Sequence, residues 1–472
     1  MSDFSKYLSP LVDESSIHKE PIKYAEIFDY VQKQIINKHL NDLNSALKNN
    51  DFDSEETLKK LIKEKISEID DQCSNLVDDI YNDMTSFGFL NKYFADKENI
   101  EEININCIGD GTKESPGCII IEYCNGKKVF INEHFHSIKQ GVDVLKRMLQ
   151  KSDEVLDNMS PMKVTYLGDN IRLSIAQPPI CNASDGIVAS IRFTHPKKFT
   201  KTETIKVGTL TKSSFNKLEA FINNGVSIAF SGDTGSGKTT LMNTVLSKVR
   251  YDTRLVTLED GTHDFDLKQY DEHGRIINDV VHLYTRPHPT AQLNIRLEEL
   301  LDFILRFHPK VICVGEMVSE EAFIAQETAR TGHTVITSLH SISATDAYER
   351  MYTLALRKYE LPKNELLELI VKAFPISVQM NKYQDGKRRV EQIVEAVSVE
   401  NGKVKFNVID QFIVTDNMKD ADGNIIKVIG HFENVNNISD NLKNKLIRKG
   451  MSLNEIDEIF GGENVDELEN VY

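Results

Sequence analysis

Gly232-Asp233-Thr234-Gly235-Ser236-Gly237-Lys238-Thr239 fits the pattern G-x-x-x-x-G-K-[ST]. Ser227-Ile228-Ala229-Phe230-Ser231 precedes it and reads as a short buried strand. Residues 239–249 follow, with Leu241, Val245 and Leu246 along one side, and read as a helix. Strand, glycine-rich loop and helix are the context in which this pattern has a mechanism. Glycines let backbone N–H groups close round phosphate oxygens, and the helix N-terminus adds a favourable dipole. Lys238 is expected to reach the β- and γ-phosphates of ATP, and the Thr239 hydroxyl to face Mg²⁺. Gly232 to Thr239, with Thr240 behind them, are the expected nucleotide-binding residues. The competing reading is a glycine-rich turn that matches by accident, and the flanking strand and helix weigh against it.

Outward from the loop, residues 213–412 alternate strand and helix. Strands are expected at 227–231, 255–258, 280–283, 311–314 and 335–338. Such alternation predicts an α/β domain with a mainly parallel sheet, and phosphate at the carboxyl ends of its strands. Residues 81–200 have another texture. Strands are expected at 103–105, 118–123, 128–131, 172–176 and 187–193, with a helix at 137–149. Asn125-Gly126 signals a hairpin. This is an α+β domain. Residues 201–212 read as a linker.

Residues 1–80 read as a helical segment, with Ile27, Val31 and Ile35 four apart. A packing module explains that stripe, and a partner-docking arm is the sharper alternative. Residues 413–472 read as a C-terminal helical region, with helices at 439–449 and 454–459. Residues 452–472 hold seven acidic side chains and no basic ones, which predicts a solvated tail.

The 472 residues carry a net charge of -16, which disfavours a general nucleic-acid binder. No apolar run approaches a membrane span, and the first residues hold no apolar signal core. The six cysteines form no C-x-x-C pair, so reduced thiols are expected. A cytoplasmic protein follows from these features.

Binding alone is not hydrolysis, which needs a group to orient water and Mg²⁺ held against the phosphates. Val311-Ile312-Cys313-Val314 is an apolar run ending at Gly315-Glu316, so Glu316 is expected at a strand tip near phosphate. It is the candidate general base or metal-side carboxylate. Leu255-Val256-Thr257-Leu258 ends the same way at Glu259-Asp260. His333 and His340 flank another expected strand. Their spacing of seven puts them on opposite sides, which argues against a shared metal. Arg172, Arg192, Arg286, Arg296 and Arg306 could supply guanidinium charge to a transferring phosphoryl group, in cis or from a neighbouring subunit.

Taken in order, the P-loop, Leu258-Glu259-Asp260, Val314-Gly315-Glu316 and Thr331-Gly332-His333 to Leu339-His340 resemble the secretion-superfamily ATPases. These drive type II and type IV secretion and type IV and Tad pili. Upstream, Ile100 to Asn106, Gly168 to Ile175, Pro178-Pro179 and Ser190-Ile191-Arg192-Phe193 are similar to the Tad-pilus and conjugative type IV secretion branch. Downstream, Asp385-Gly386-Lys387-Arg388-Arg389-Val390 is similar to that branch too.

The resemblance implies a RecA-like ATPase domain behind a PAS-like N-terminal domain. It implies that Lys238 and Thr239 hold phosphate and Mg²⁺, that Glu316 is the Walker B carboxylate, and that Glu259 helps place water. It implies that His340 senses the γ-phosphate, and that Arg172, Arg192 and Arg286 line the pocket. A homo-hexameric ring is implied, peripheral at the inner face of the cytoplasmic membrane, with inner-membrane platform or secretion-channel proteins as partners. Direct nucleic-acid binding is not expected.

Two departures stand out. Met317 follows the Walker B Glu where the family usually has Arg, and the histidine box has the shorter spacing of the pilus-retraction and type II branches. The expected function is an ATP-hydrolysing motor for secretion, conjugation or pilus assembly. A nucleotide-gated scaffold with little turnover and a nucleic-acid motor are the alternatives.

Overall fold

The chain divides into two units, Met1–His195 and Pro196–Tyr472. The structure, a computed structural model, describes residues 21–49, 52–109, 117–124, 126–150, 155–168, 171–193, 199–260, 263–286, 294–319, 321–357, 361–421 and 423–461.

The first unit opens with helices α1 (Pro21–Lys38), α2 (Leu40–Asn49), α3 (Phe52–Ser67) and α4 (Val77–Thr85). Val31, Ile35, Leu58, Ile62, Ile66 and Ile80 are fully buried between them, so the four-residue stripe of the sequence is a core stripe. After the short α5 (Asn91–Ala95) come β1 (Ile100–Cys107), β2 (Cys118–Tyr123), β3 (Lys128–Phe130), α6 (Ile138–Gln150), β4 (Met162–Tyr166), β5 (Ile171–Ala176) and β6 (Val188–Phe193). The six strands form an antiparallel sheet in the order β3-β2-β1-β6-β5-β4. Ala189, Ile191 and Phe193 of β6 face the core and Ser190 and Arg192 do not, the period-2 alternation of a sheet covered on one face. Val144, Leu145, Met148 and Leu149 of α6 complete this core. β4, where Met162 and Val164 are exposed, was not expected from the sequence. Gly126, at φ 83°, sits in the β2–β3 turn, while Asn125 lies outside the described residues.

The second unit runs α7 (Lys201–Lys206), α8 (Lys212–Asn223), β7 (Ile228–Gly232), α9 (Lys238–Leu246), β8 (Leu255–Glu259), β9 (Val280–Tyr284), α10 (Leu297–Ile304), β10 (Val311–Val314), α11 (Glu321–Arg330), β11 (Thr334–Leu339), α12 (Asp346–Ala355) and α13 (Lys363–Ala373). It continues with β12 (Ile376–Lys382), β13 (Arg388–Glu400), β14 (Lys403–Lys419), β15 (Ile425–Asn434), α14 (Asp440–Arg448) and α15 (Leu453–Phe460). The nine strands are ordered β15-β14-β13-β12-β7-β11-β10-β8-β9. From β12 to β9 neighbours are parallel; from β12 to β15 they are antiparallel. β7, β8, β10 and β11 are buried throughout, as strands covered on both faces must be.

Three expectations change here. The stretch read as a linker contains α7, closed by a capping box between Thr200 and Glu203, and Leu210 enters the core. The sheet does not end near Phe412, because β14 and β15 extend it to Asn434. The start of the acidic end is folded: α15 packs Ile456 and Phe460 into the core, with Phe460 5.2 Å from Phe221 ring to ring. Residues 462–472 of that end lie outside the described residues. Among the described residues no helix is long and apolar enough to cross a membrane.

Candidate nucleotide site

Strand order places the expected residues before any side chain is considered. β7, β11, β10 and β8 are successive parallel neighbours, so Gly232, His340, Glu316 and Glu259 lie along one edge at their carboxyl ends. That edge is where open α/β sheets bind ligands.

The loop after β7 needs its glycines. Gly232 has φ 140°, and a Cβ there would stand 2.2 Å from the carbonyl oxygen of Met380 on β12. Gly237 has φ 94° and caps α9. Asp233, Thr234 and Gly235 are exposed at the tip, as is Thr240, and Thr239 is half-buried in the first turn of α9. Ser236 is fully buried, and its Oγ has no hydrogen-bond partner. An orphaned hydroxyl inside a loop of this shape fits a site that takes phosphate oxygens.

Lys238 opens α9 and is itself buried. Its Nζ donates to the carbonyl oxygens of Gly232 at 2.8 Å and Asp233 at 3.0 Å, and lies 3.4 Å from His340 Nδ1. Burial pushes the ammonium pKa down, and the charges of Glu316 and Asp233 partly offset that. The His340 Nδ1 is 3.1 Å from Gly232 O, and its Nε2 is 3.0 Å from Glu316 Oε1. Lys238, His340 and Glu316 therefore meet, and both His340 and Glu316 remain partly open to solvent. His333, at the other end of β11, lies 3.3 Å from Thr331 Oγ1 and takes no part.

Met317 explains its own departure from the expected Arg. Its N–H donates to Ser338 O at 2.7 Å, and its side chain is buried with Val314, Ala322 and Leu339. An arginine there would bury a charge in an apolar cluster.

Glu259 lies farther along the same edge. It is buried at the tip of β8, three strands from β7, about 14 Å along the sheet. Its Oε2 accepts from the backbone N–H of Asp264 at 2.6 Å and of Phe265 at 3.3 Å. Its Oε1 accepts from Thr257 Oγ1 at 3.1 Å and lies 3.7 Å from His282 Nδ1. The carboxylate is engaged by the loop that follows it. Arg286 is exposed beyond β9, bridging through its backbone to Ile295, and residues 287–293 lie outside the described residues. In the first unit, Arg172 of β5 and Arg192 of β6 are direct cross-strand partners, and Arg192 Nη2 is 3.9 Å from Glu101 Oε1.

One residue was missed from sequence. Arg388, at the start of β13, donates from Nε to Gly235 O at 2.8 Å, so a second basic side chain holds the loop. Its neighbour Arg389 turns the other way. It forms a buried pair with Asp385 and lies 5.1 Å from the rings of both Tyr383 and Phe412. The Asp385-Gly386 turn was the available signal, but alternation along a strand lets only one of two adjacent arginines face the loop.

Comparisons with known proteins bear on the family of the chain. Residues 138–450, more than half of the chain, match the family model described as type II/IV secretion system protein. An uncharacterized protein of Methanocaldococcus jannaschii, MJ0900, is 26% identical over 54% of this chain and 43% of its own length. The type IV secretion system protein VirB11 of Bartonella quintana is 25% identical over 54% of this chain and 80% of its own. The type IV secretion system protein PtlH of Bordetella pertussis is 31% identical over 36% of this chain and 50% of its own. The chain thus spans less than half of the first of these relatives and most of the second. A match to the family model over both the sheet and the loop, with the loop lysine, strand-tip carboxylate and histidine gathered at one edge, leads to one conclusion: this chain belongs to the type II/IV secretion system protein family.

Proposed function

We propose that the chain is an ATP-hydrolysing motor serving secretion, conjugation or pilus assembly at the cytoplasmic membrane. The observation that carries the reading is the meeting of Lys238, His340 and Glu316 from three separate elements. The P-loop amides and Lys238 bind the β- and γ-phosphates, the ammonium exchanging its carbonyl partners for phosphate oxygens. Thr239 and Glu316 offer the hard oxygen donors that Mg²⁺ takes. The ion, when bound, neutralises charge on the transferring phosphoryl group. Glu316 orients the attacking water and accepts its proton. Water attacks the γ-phosphorus in line, the bond to the bridging oxygen breaks, and ADP and phosphate leave. His340 donates to a γ-phosphate oxygen and reads its presence. Glu259 acts as a positioning residue through the loop it pins. Arg172, Arg192 and Arg286 are the proposed guanidinium donors.

The proposed assembly is a homo-hexameric ring bound to inner-membrane platform or channel proteins. The scaffold alternative loses one support, because the Met317 departure is a packing feature. The test is phosphate release from ATP by the purified full chain with and without Mg²⁺, with its mass in solution measured by light scattering. Mg²⁺-dependent turnover by a hexamer is expected. Tight ATP binding with no phosphate release would favour the scaffold.

A further inference from the structure

Basic side chains from separate elements line one cavity of about 300 Å³ in the second unit. Arg330 comes from the last turn of α11, His333 from the turn before β11, Lys372 from the last turn of α13, and Lys445 and Lys449 from the end of α14. Gly225, in the turn before β7, closes the rim, and a Cβ on it would stand 3.1 Å from Lys449 Cε. The cavity therefore lies at the amino ends of β7 and β11, about 16 Å of strand away from the P-loop edge.

A basic residue near a helix C-terminus is ordinary, since it complements the helix dipole. The dipole does not explain why three helices bring such residues to one concavity in a chain of net charge -16. Among the described residues, acids on their own helices partner two of them. Arg330 pairs with Glu327 one turn back, and Lys372 is 3.7 Å from Glu368 on its own helix. His333 lies against Thr331. Among the described residues the ammonium groups of Lys445 and Lys449 have no ion-pair partner. Lys445 is half-buried, and burial together with the Lys449 charge pushes its pKa down. An anion bound between them would relieve this repulsion.

We propose that this cavity is a second anion site, distinct from the P-loop, for a phosphate-bearing ligand. Its volume is at the small end of ligand sites and suits a compact group, either a lipid headgroup or a small soluble phosphate. Lysine ammonium groups bind phosphate as point charges, and Arg330 can add directed hydrogen bonds.

The test uses the full chain carrying Lys238→Ala, which removes the P-loop lysine. Two probes are titrated: inorganic pyrophosphate by calorimetry, and vesicles of phosphatidylglycerol in phosphatidylcholine by co-sedimentation. Saturable binding of one probe is expected, weakened at least about tenfold by adding Lys445→Gln and Lys449→Gln. Arg330→Gln, on another helix, should weaken it too, and Lys449→Gln alone guards against misfolding because that side chain is exposed. Binding of vesicles that pyrophosphate competes away identifies a headgroup. Binding of pyrophosphate alone identifies a soluble phosphate. The proposal is overturned if neither probe binds, or if the lysine variants bind as the parent does.

Discussion

His340 Nε2 lies 3.0 Å from Glu316 Oε1, so the tips of β11 and β10 are joined by their side chains as well as by the sheet. The same imidazole touches Gly232 O at the root of the P-loop. A residue in contact with both the loop and the carboxylate can pass the state of one to the other. His340→Ala should lower ATP turnover by about 10²-fold, the usual worth of one donor aimed at developing charge, while ATP affinity changes little. Parallel steady-state and equilibrium-binding measurements check this. Unchanged turnover would reduce His340 to a structural residue.

Gly232 cannot accept a side chain. With φ 140° and the Met380 carbonyl 2.2 Å from where a Cβ would stand, Gly232→Ala must push β7 and β12 apart or reshape the loop. A cost on the order of 1–3 kcal/mol is expected from strain alone, together with loss of nucleotide binding. Thermal unfolding with and without ATP reads both effects. A variant that melts like the parent and is still stabilised by ATP contradicts the reading.

Lys217 Nζ is 2.6 Å from Asp410 Oδ1, and both residues are buried. The pair ties α8, ahead of the P-loop strand, to β14 of the antiparallel extension. Removing one partner strands a buried charge, so Asp410→Ala should cost about 3–5 kcal/mol. The double change Lys217→Met with Asp410→Leu should recover most of that. Denaturant unfolding of the parent and the two variants decides it; equal losses in the single and double variants would mean that packing, not charge, is at stake.

The fold of the nucleotide half was legible because parallel strands covered on both faces read as unbroken apolar runs, as at Val311–Val314. The antiparallel extension was not, because β14 beyond Phe412 and β15 are largely exposed and mix apolar with polar residues without a buried run, so ladder pairing reveals them. Strand tips located Glu316 and Glu259 correctly along one edge. They could not say which way each carboxylate turns, and the amides of Asp264 and Phe265 decide that for Glu259. Adjacent Arg388 and Arg389 pose the same problem: sequence places both near the turn, and register assigns one to the loop and one to Asp385.

The Asp385–Arg389 pair predicts a pH dependence. Burial pushes the Asp385 carboxyl up, but hydrogen bonds from Arg389 and from the amides of Val428 and Lys387 outweigh it and hold the pKa below the usual range. A depressed folded value adds stability above the unfolded value of about 3.9, and that stability is lost as pH falls through the folded value. Asp385→Asn should therefore melt below the parent at neutral pH, and the gap should narrow below pH of about 4. A gap that stays constant with pH would exclude this linkage.

The central claim is that Lys238 and Glu316 belong to one hydrolytic site. The most direct measurement compares ATP binding and steady-state phosphate release for the parent, Lys238→Ala and Glu316→Gln. The account predicts that Lys238→Ala loses both, whereas Glu316→Gln still binds ATP and releases phosphate at least about 10²-fold more slowly. Phosphate release at the parent rate by both variants would contradict it.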